Sequence, residues 1–106
     1  MKKIQDFFTI LRTIEKQPGS TQRELANNAG FSLGKLNYCL NQLKEKGLVK
    51  AENFRKNQNK LNYIYILTPK GIAEKTKLTL NFMARKMEEY DELKKDLINS
   101  KNKHKK

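Results

Sequence analysis

TQRELANNAGFSLGKLNYCLNQLKEKG, residues 21–47, spells out a short capped helix, a glycine turn and a second helix whose two sides differ in chemistry. Thr21 stands as N-cap with Glu24 three residues on. In that capping box each side chain satisfies a backbone N–H of the other residue that the helix leaves unpaired. Leu25, Ala26 and Ala29 turn inward, Gly30 can take the left-handed conformation that ends the helix, Phe31 plugs the turn, and Ser32 caps the second helix. At about 100° per residue, Leu33, Leu36, Cys39, Leu40 and Leu43 share one side of that second helix and form a core stripe. The other side carries Gly34, Tyr38, Asn41, Gln42 and Glu45, flanked by Lys35 and Asn37. Amides and a phenol with few acids can read base edges and phosphates. The stretch therefore predicts a helix-turn-helix whose second helix reads DNA.

Upstream, Ile4, Phe7, Phe8, Leu11 and Ile14 recur at spacings of three and four, predicting an amphipathic helix stopped by Pro18 and Gly19. Downstream of Gly47 the period changes, and residues 48–55 and 61–67 read as two strands, the second rich in Tyr63, Ile64, Tyr65 and Ile66. The segment between them, Arg55-Lys56-Asn57-Gln58-Asn59-Lys60, is expected to be a loop with three cations and no acid, suited to lying across phosphates or entering a minor groove. Helix, capped helix, reading helix and basic hairpin make a winged helix. Thr68 then caps a helix with Pro69 at its first position, where the missing N–H costs nothing. The fold class expected is mainly α with a small β-hairpin. Its domains are a winged helix-turn-helix over residues 1–68, a long C-terminal helix over 69–99 and a disordered basic tail over 100–106.

In that long helix Leu80, Met83, Met87, Tyr90 and Leu97 keep a 3,4,3 spacing that Lys94 breaks once, the mark of a short coiled-coil seam. About 30 helical residues span roughly 45 Å, more than one winged-helix core can cover, so a homodimer through this helix is expected. The helix is also nearly balanced in charge: residues 70–98 hold 7 basic and 6 acidic side chains. A helix meeting its own symmetry mate cannot carry a large excess of one sign.

The whole chain has 23 Lys and Arg against 11 acids, a formal net charge of +12. A polyanionic partner, double-stranded DNA, is the natural inference. The surplus sits in residues 1–69, with 12 basic and 5 acidic side chains, and in residues 99–106, with 4 and 0. One cysteine excludes an internal disulfide and any multi-cysteine metal site, so no cofactor or metal is expected and a reducing cytoplasm fits. Gln5, Asp6 and Arg12 interrupt the N-terminal apolar stretch before a signal peptide could form, and no run approaches a membrane span. Nothing suggests an enzyme: there is no glycine-rich phosphate loop, no Ser/His/Asp set and no paired carboxylates outside the solvated charges of the last helix.

Within the expected interface, Ser32, Gly34, Lys35, Asn37, Tyr38, Asn41 and Gln42 belong to the reading helix. Asn41 and Gln42 have the donor and acceptor that match an adenine edge, and Lys35 is placed for phosphate or guanine. Thr21, Gln22 and Arg23, at a helix N-terminus, suit phosphate. Arg55, Lys56, Asn57, Asn59 and Lys60 form the wing contact. Each also has an ordinary reading as a solvated polar side chain, and Tyr38 as a phenol packed on the helix surface. Glu45 lies at the far end of the reading face, where a carboxylate repels phosphate. Cys39 reads as a small buried hydrophobe rather than a redox sensor, Met83 and Met87 as packing rather than a ligand pocket, and His104 as an inert tail residue.

SLGKLNYCL in the reading helix, FRKNQNKL in the wing and LTPKGI at the start of the last helix resemble the MarR-type winged-helix regulators, more narrowly the small exopolysaccharide-associated subfamily, and the likeness covers nearly residues 4–97. The resemblance implies a homodimeric bacterial regulator on a palindromic operator, with reading helices in successive major grooves and wings over flanking minor grooves. For the subfamily it implies a polysaccharide biosynthesis locus as target. Larger family members dimerise through helices from both ends of the chain and enclose a small-molecule pocket. This sequence lacks most of the N-terminal element, so no effector pocket of that kind is expected and dimerisation would rest largely on the C-terminal helix. Two rival classes remain: an RNA or single-strand binder using Tyr63, Tyr65 and Phe54 as stacking platforms, and a protein-interaction module pairing its last helix with another polypeptide.

Overall fold

A computed structural model describes residues 2–57 and 60–103, with the side chains of residues 3–53 and 63–102. The chain runs α1 (Lys2–Lys16), β1 (Ser20–Thr21), α2 (Gln22–Ala29), α3 (Leu33–Glu45), β2 (Val49–Asn57), β3 (Lys60–Leu67) and α4 (Pro69–Lys103). This is a winged helix-turn-helix followed by a long C-terminal helix, mostly helical with a small antiparallel sheet. The described residues fall into two compact units, one reaching to Thr76 and the other beginning at Lys77.

In the first unit, α2 begins on the full capping box expected of Thr21 and Glu24, and ends at Gly30 with φ 75°. At that left-handed φ a side chain would be strained, and the Gly30 N–H closes the turn onto the Ala26 carbonyl. Ser32 caps α3 by accepting from the Lys35 N–H at 3.1 Å. Leu36, Cys39, Leu40 and Leu43 are buried as their spacing predicts, against Leu25 and Ala26 of α2 and Ile10, Leu11 and Ile14 of α1 in one apolar core. Leu33 departs from that expectation and stays 46% exposed. It occupies the first helical position, at the margin of the stripe about 60° from Leu36. Burial along α1 deepens from exposed Ile4, through half-buried Phe7 and Phe8, to fully buried Ile10, Leu11 and Ile14.

The sheet has three strands in the order β1-β3-β2, one more than the sequence predicts. Ser20 pairs with Tyr65 and Thr21 with Ile64, so a single residue, Thr21, is both the end of a strand and the cap of α2. Two residues are too few to leave a periodic signal in a sequence. Strands β2 and β3 also run further than expected. Val49 pairs with Leu67 at one end and Asn57 with Lys60 at the other, with a register shift between Arg55 and Asn57 that makes Lys56 the extra residue of a bulge. Lys56, Asn57 and Lys60, expected in the loop, therefore lie in the strands, and Arg55, at the junction of the expected strand and loop, is in the strand. The hairpin ladder continues as far as the Asn57–Lys60 pair.

Thr68 joins the end of the sheet to α4. Its backbone N–H donates to the Leu48 carbonyl at 3.0 Å, its hydroxyl donates to the Gly47 carbonyl at 2.6 Å, and the same hydroxyl accepts from the Gly71 N–H at 3.0 Å. Gly71 is buried, and a Cβ there would run into the Leu48 carbonyl oxygen. Lys75 pairs with Glu15 of α1 at 2.6 Å, so the first two turns of α4 belong to the first unit.

In the second unit α4 continues to Lys103, four residues past the end expected near Asn99, with residues 100–103 helical where disorder was expected. Lysines in the last turn complement the negative end of the helix dipole and favour that extension. Leu80, Met83, Met87, Tyr90, Leu93 and Leu97 are all exposed, Leu93 at 67%. No helix of the described residues is long and apolar enough to cross a membrane.

Candidate nucleic-acid interface

The outer face of α3 is dictated by the burial of its inner face. Four positions carry the apolar stripe that anchors the helix, so the residues about 180° away must point to solvent. Gly34, Asn37, Tyr38 and Asn41 do so, with Tyr38 at 59% exposure. A Cβ at Gly34 would meet nothing within 4 Å, so the backbone there is open to close approach. Glu45 is exposed at the C-terminal end of the same face.

Gln42 is placed differently from its neighbours. It lies about 80° from Gly34, on the flank toward Cys39, and is half-buried. Its Nε2 donates to the Tyr38 hydroxyl oxygen at 2.9 Å, while its Oε1 is buried without a hydrogen-bond partner. The amide turns toward Tyr38 instead of standing free. Lys35, on the same flank, pairs with Asp6 of α1 at 3.2 Å and sits over the Phe31 ring at 4.5 Å. In the sequence Asp6 reads only as a charge interrupting an apolar run. Its partnership with Lys35 is tertiary and leaves no signal in either helix alone.

The side chains at the start of α2 are divided between structure and solvent. The Thr21 hydroxyl donates to Glu24 Oε1 at 2.9 Å and accepts from the Glu24 N–H at 3.3 Å, so both of its functions serve the cap. Gln22 is half-buried and Arg23 is exposed. In the wing, the backbone of Arg55, Lys56, Asn57 and Lys60 is in the hairpin, their side chains lie outside the described residues, and Asn59 lies outside altogether. Along β3, Tyr63 is 59% exposed and Tyr65 is buried, although both project from one face of the strand.

Cys39 is buried, and loss of water around the sulfur, helped by the Asp6 carboxylate, pushes its thiol above the ordinary 9.0 against the opposing pull of Lys35 and Lys3. That is the environment of an inert packing cysteine. Among the described residues no group of three or more His, Cys, Asp or Glu side chains could hold a metal ion.

Comparison with known proteins agrees with this geometry. Residues 8–50, which span α1 through the start of β2, match a family model described as winged helix-turn-helix DNA-binding. No curated protein matches the sequence. Among solved structures, the PcaV transcriptional regulator from Streptomyces coelicolor, bound to its natural ligand, superposes with a TM-score of 0.71 at 15% identity, covering 94% of this chain and 74% of that one. Smu.1704 from Streptococcus mutans gives 0.70 at 19% identity over 80% and 82%. A MarR family transcription regulator gives 0.68 at 18% identity over 92% and 71%. The chain thus shares the fold of these solved proteins, one of them a MarR family transcription regulator, and residues 8–50 match the winged helix-turn-helix DNA-binding family model.

Proposed function

We propose that the protein is a MarR-type bacterial transcriptional regulator that binds duplex operator DNA sequence-specifically as a homodimer. The observation that carries this reading is the outer face of α3, where Gly34, Asn37, Tyr38 and Asn41 are exposed directly opposite a fully buried apolar stripe. A helix anchored on one side and polar on the other is the element that enters a major groove. Arg23 at the N-terminus of α2 and the cations of the wing, Arg55, Lys56 and Lys60, supply phosphate contacts that carry affinity but no sequence information. Tyr38 and Asn41 supply the sequence choice. The net charge of +12 favours rapid, salt-sensitive association with any duplex, from which the operator is then selected.

Dimerisation through α4 is supported by the exposed apolar series Leu80, Met83, Met87, Tyr90 and Leu97, at 53–65% exposure. Two reading helices related by a twofold axis would contact half-sites about one helical turn, or roughly 10 base pairs, apart. Regulation results from occupancy of the operator in the cytoplasm. The resemblance of the reading helix and wing to exopolysaccharide-associated regulators makes a polysaccharide biosynthesis locus the first operator to test.

The test is a fluorescence-anisotropy titration of the protein against fragments of its own upstream region and of such a locus, with random duplex and single strands as competitors at two salt concentrations. Preference for one duplex fragment, weakening steeply with salt, is the expected result. Equal affinity for all duplexes would make it an architectural binder. Preference for single strands would favour the stacking alternative, for which Tyr63 is exposed and Tyr65 buried, while the Phe54 side chain lies outside the described residues. A strictly monomeric protein would favour pairing of α4 with another polypeptide.

A further inference from the structure

The Tyr38–Gln42 pair has a polarity, and that polarity selects a base. This inference rests on the duplex-binding reading above and names what the reading helix recognises. A phenol is both donor and acceptor, and an exposed one meets either kind of base edge. Here the Gln42 Nε2 donates to the Tyr38 oxygen at 2.9 Å, and the residues are four apart on one helix, one turn from each other. One lone pair of the oxygen is thereby taken by the protein. The O–H hydrogen is directed elsewhere and is the group the phenol offers outward.

Gln42 itself cannot act as the bidentate adenine reader that its side chain suggests. That role needs the amide oxygen and nitrogen presented together to a base edge. Its oxygen is buried and its nitrogen is committed to Tyr38. A buried acceptor left unpaired is unfavourable, and turning the amide over would only exchange the unpaired oxygen for an unpaired nitrogen. Among the described residues Tyr38 is the one hydrogen-bond partner of the amide.

Tyr38 has the exposure and the position that Gln42 lacks. It is 59% exposed at the middle of the outer face, one turn after Gly34, where open space around the backbone allows the helix to approach the groove floor. We propose that Tyr38 is a base-selecting residue of α3, held by Gln42 as a hydrogen-bond donor toward an acceptor edge in the major groove, guanine before any other. Guanine presents two acceptors there, O6 and N7, whereas cytosine presents the N4 donor.

The experiment is selection of binding sites from a pool of randomised duplexes by the full-length protein, followed by anisotropy titrations in which each selected base pair is changed in turn. The wild type is expected to select guanine at one position in each half-site. Tyr38→Phe, which keeps the ring of an exposed residue and removes only the hydroxyl, is expected to lower discrimination against cytosine at that position about tenfold, the scale of one base contact, leaving other positions unchanged. Gln42→Glu reverses the pair, because a carboxylate only accepts: the phenol hydrogen then points inward and its oxygen outward. Weaker overall binding, with the preference at that one position moved toward a donor edge, cytosine or adenine, is the expected signature. A Tyr38→Phe protein that selects the same bases at every position as the wild type overturns the proposal, as does a Gln42→Glu protein that keeps the guanine preference in full. A wild type that selects no sequence at all overturns the duplex reading beneath it, a failure visible before any variant is compared.

Discussion

Asn41 is exposed on the same outer face as Tyr38 and, among the described residues, makes no side-chain hydrogen bond of the kind that occupies Gln42. Its amide matches an adenine edge. Replacement by alanine is expected to reduce discrimination at particular base pairs by about 5- to 50-fold while leaving random-duplex affinity nearly intact, as competition titrations would show. Equal losses on operator and random DNA would remove it from the reading set. Cys39 and Tyr65 make a different residue-scale prediction. Burial raises both above their ordinary values of 9.0 and 10.0, so the folded chain keeps protons that the unfolded chain gives up. Above pH 9 the unfolded state binds fewer protons, and stability must fall as pH rises. Denaturant midpoints measured between pH 8 and pH 10.5 should decline, and Cys39→Ala should remove the earlier part of that decline. The residue scale is also where the sequence says least. Spacing placed Gln42 and Lys35 beside the reading residues, but helical periodicity cannot report the side-chain partnerships with Tyr38 and Asp6 that hold them.

At the scale of elements, two glycines show opposite constraints. Gly34 sits within α3 with nothing near its would-be Cβ, whereas Gly71 sits in the first turn of α4 against the Leu48 carbonyl. Gly34→Ala should raise stability by about 0.5–1 kcal/mol through helix propensity alone. Gly71→Ala should lower it by about 3 kcal/mol, because backbone must move to admit a methyl group. Thermal melts of the two variants should therefore shift in opposite directions, with a fall of about 10 °C or more for Gly71→Ala. Periodicity and capping rules located both reading-pair helices, since Thr21, Glu24, Gly30 and Ser32 each act locally within a few residues. Close approach at Gly71 joins residues far apart in the chain, and the glycine in TPKGI carries no mark of it beyond its missing side chain.

The whole molecule has an anchored reading unit and a helix that exposes Leu80, Met83, Met87, Tyr90, Leu93 and Leu97. The 3,4,3 spacing of that series was legible in the sequence because a coiled-coil seam is a repeat. Whether another copy covers it is a matter of association, and sedimentation decides it. The full chain is expected to sediment as a dimer and Met83→Lys/Met87→Lys as a monomer, with operator affinity reduced at least tenfold once one half-site must suffice. Retention of the dimer would move the association surface elsewhere on the chain.

Strand β2 has a neighbour on one side only, since the sheet ends there in the order β1-β3-β2. Such an edge presents backbone donors and acceptors that a foreign strand could extend, the first step toward aggregation. Lys50, Arg55 and Lys56 lie along β2, and the bulge at Lys56 interrupts the regular ladder near its tip. Lys50 pairs with Glu52 of the same strand at 3.1 Å, so Arg55 and Lys56 carry the charge excess of this edge, and a bulged strand is a poor template. Arg55 and Lys56, proposed to grip phosphate, are therefore expected to guard this edge as well, and neutralising them is expected to promote self-association even where no DNA is present.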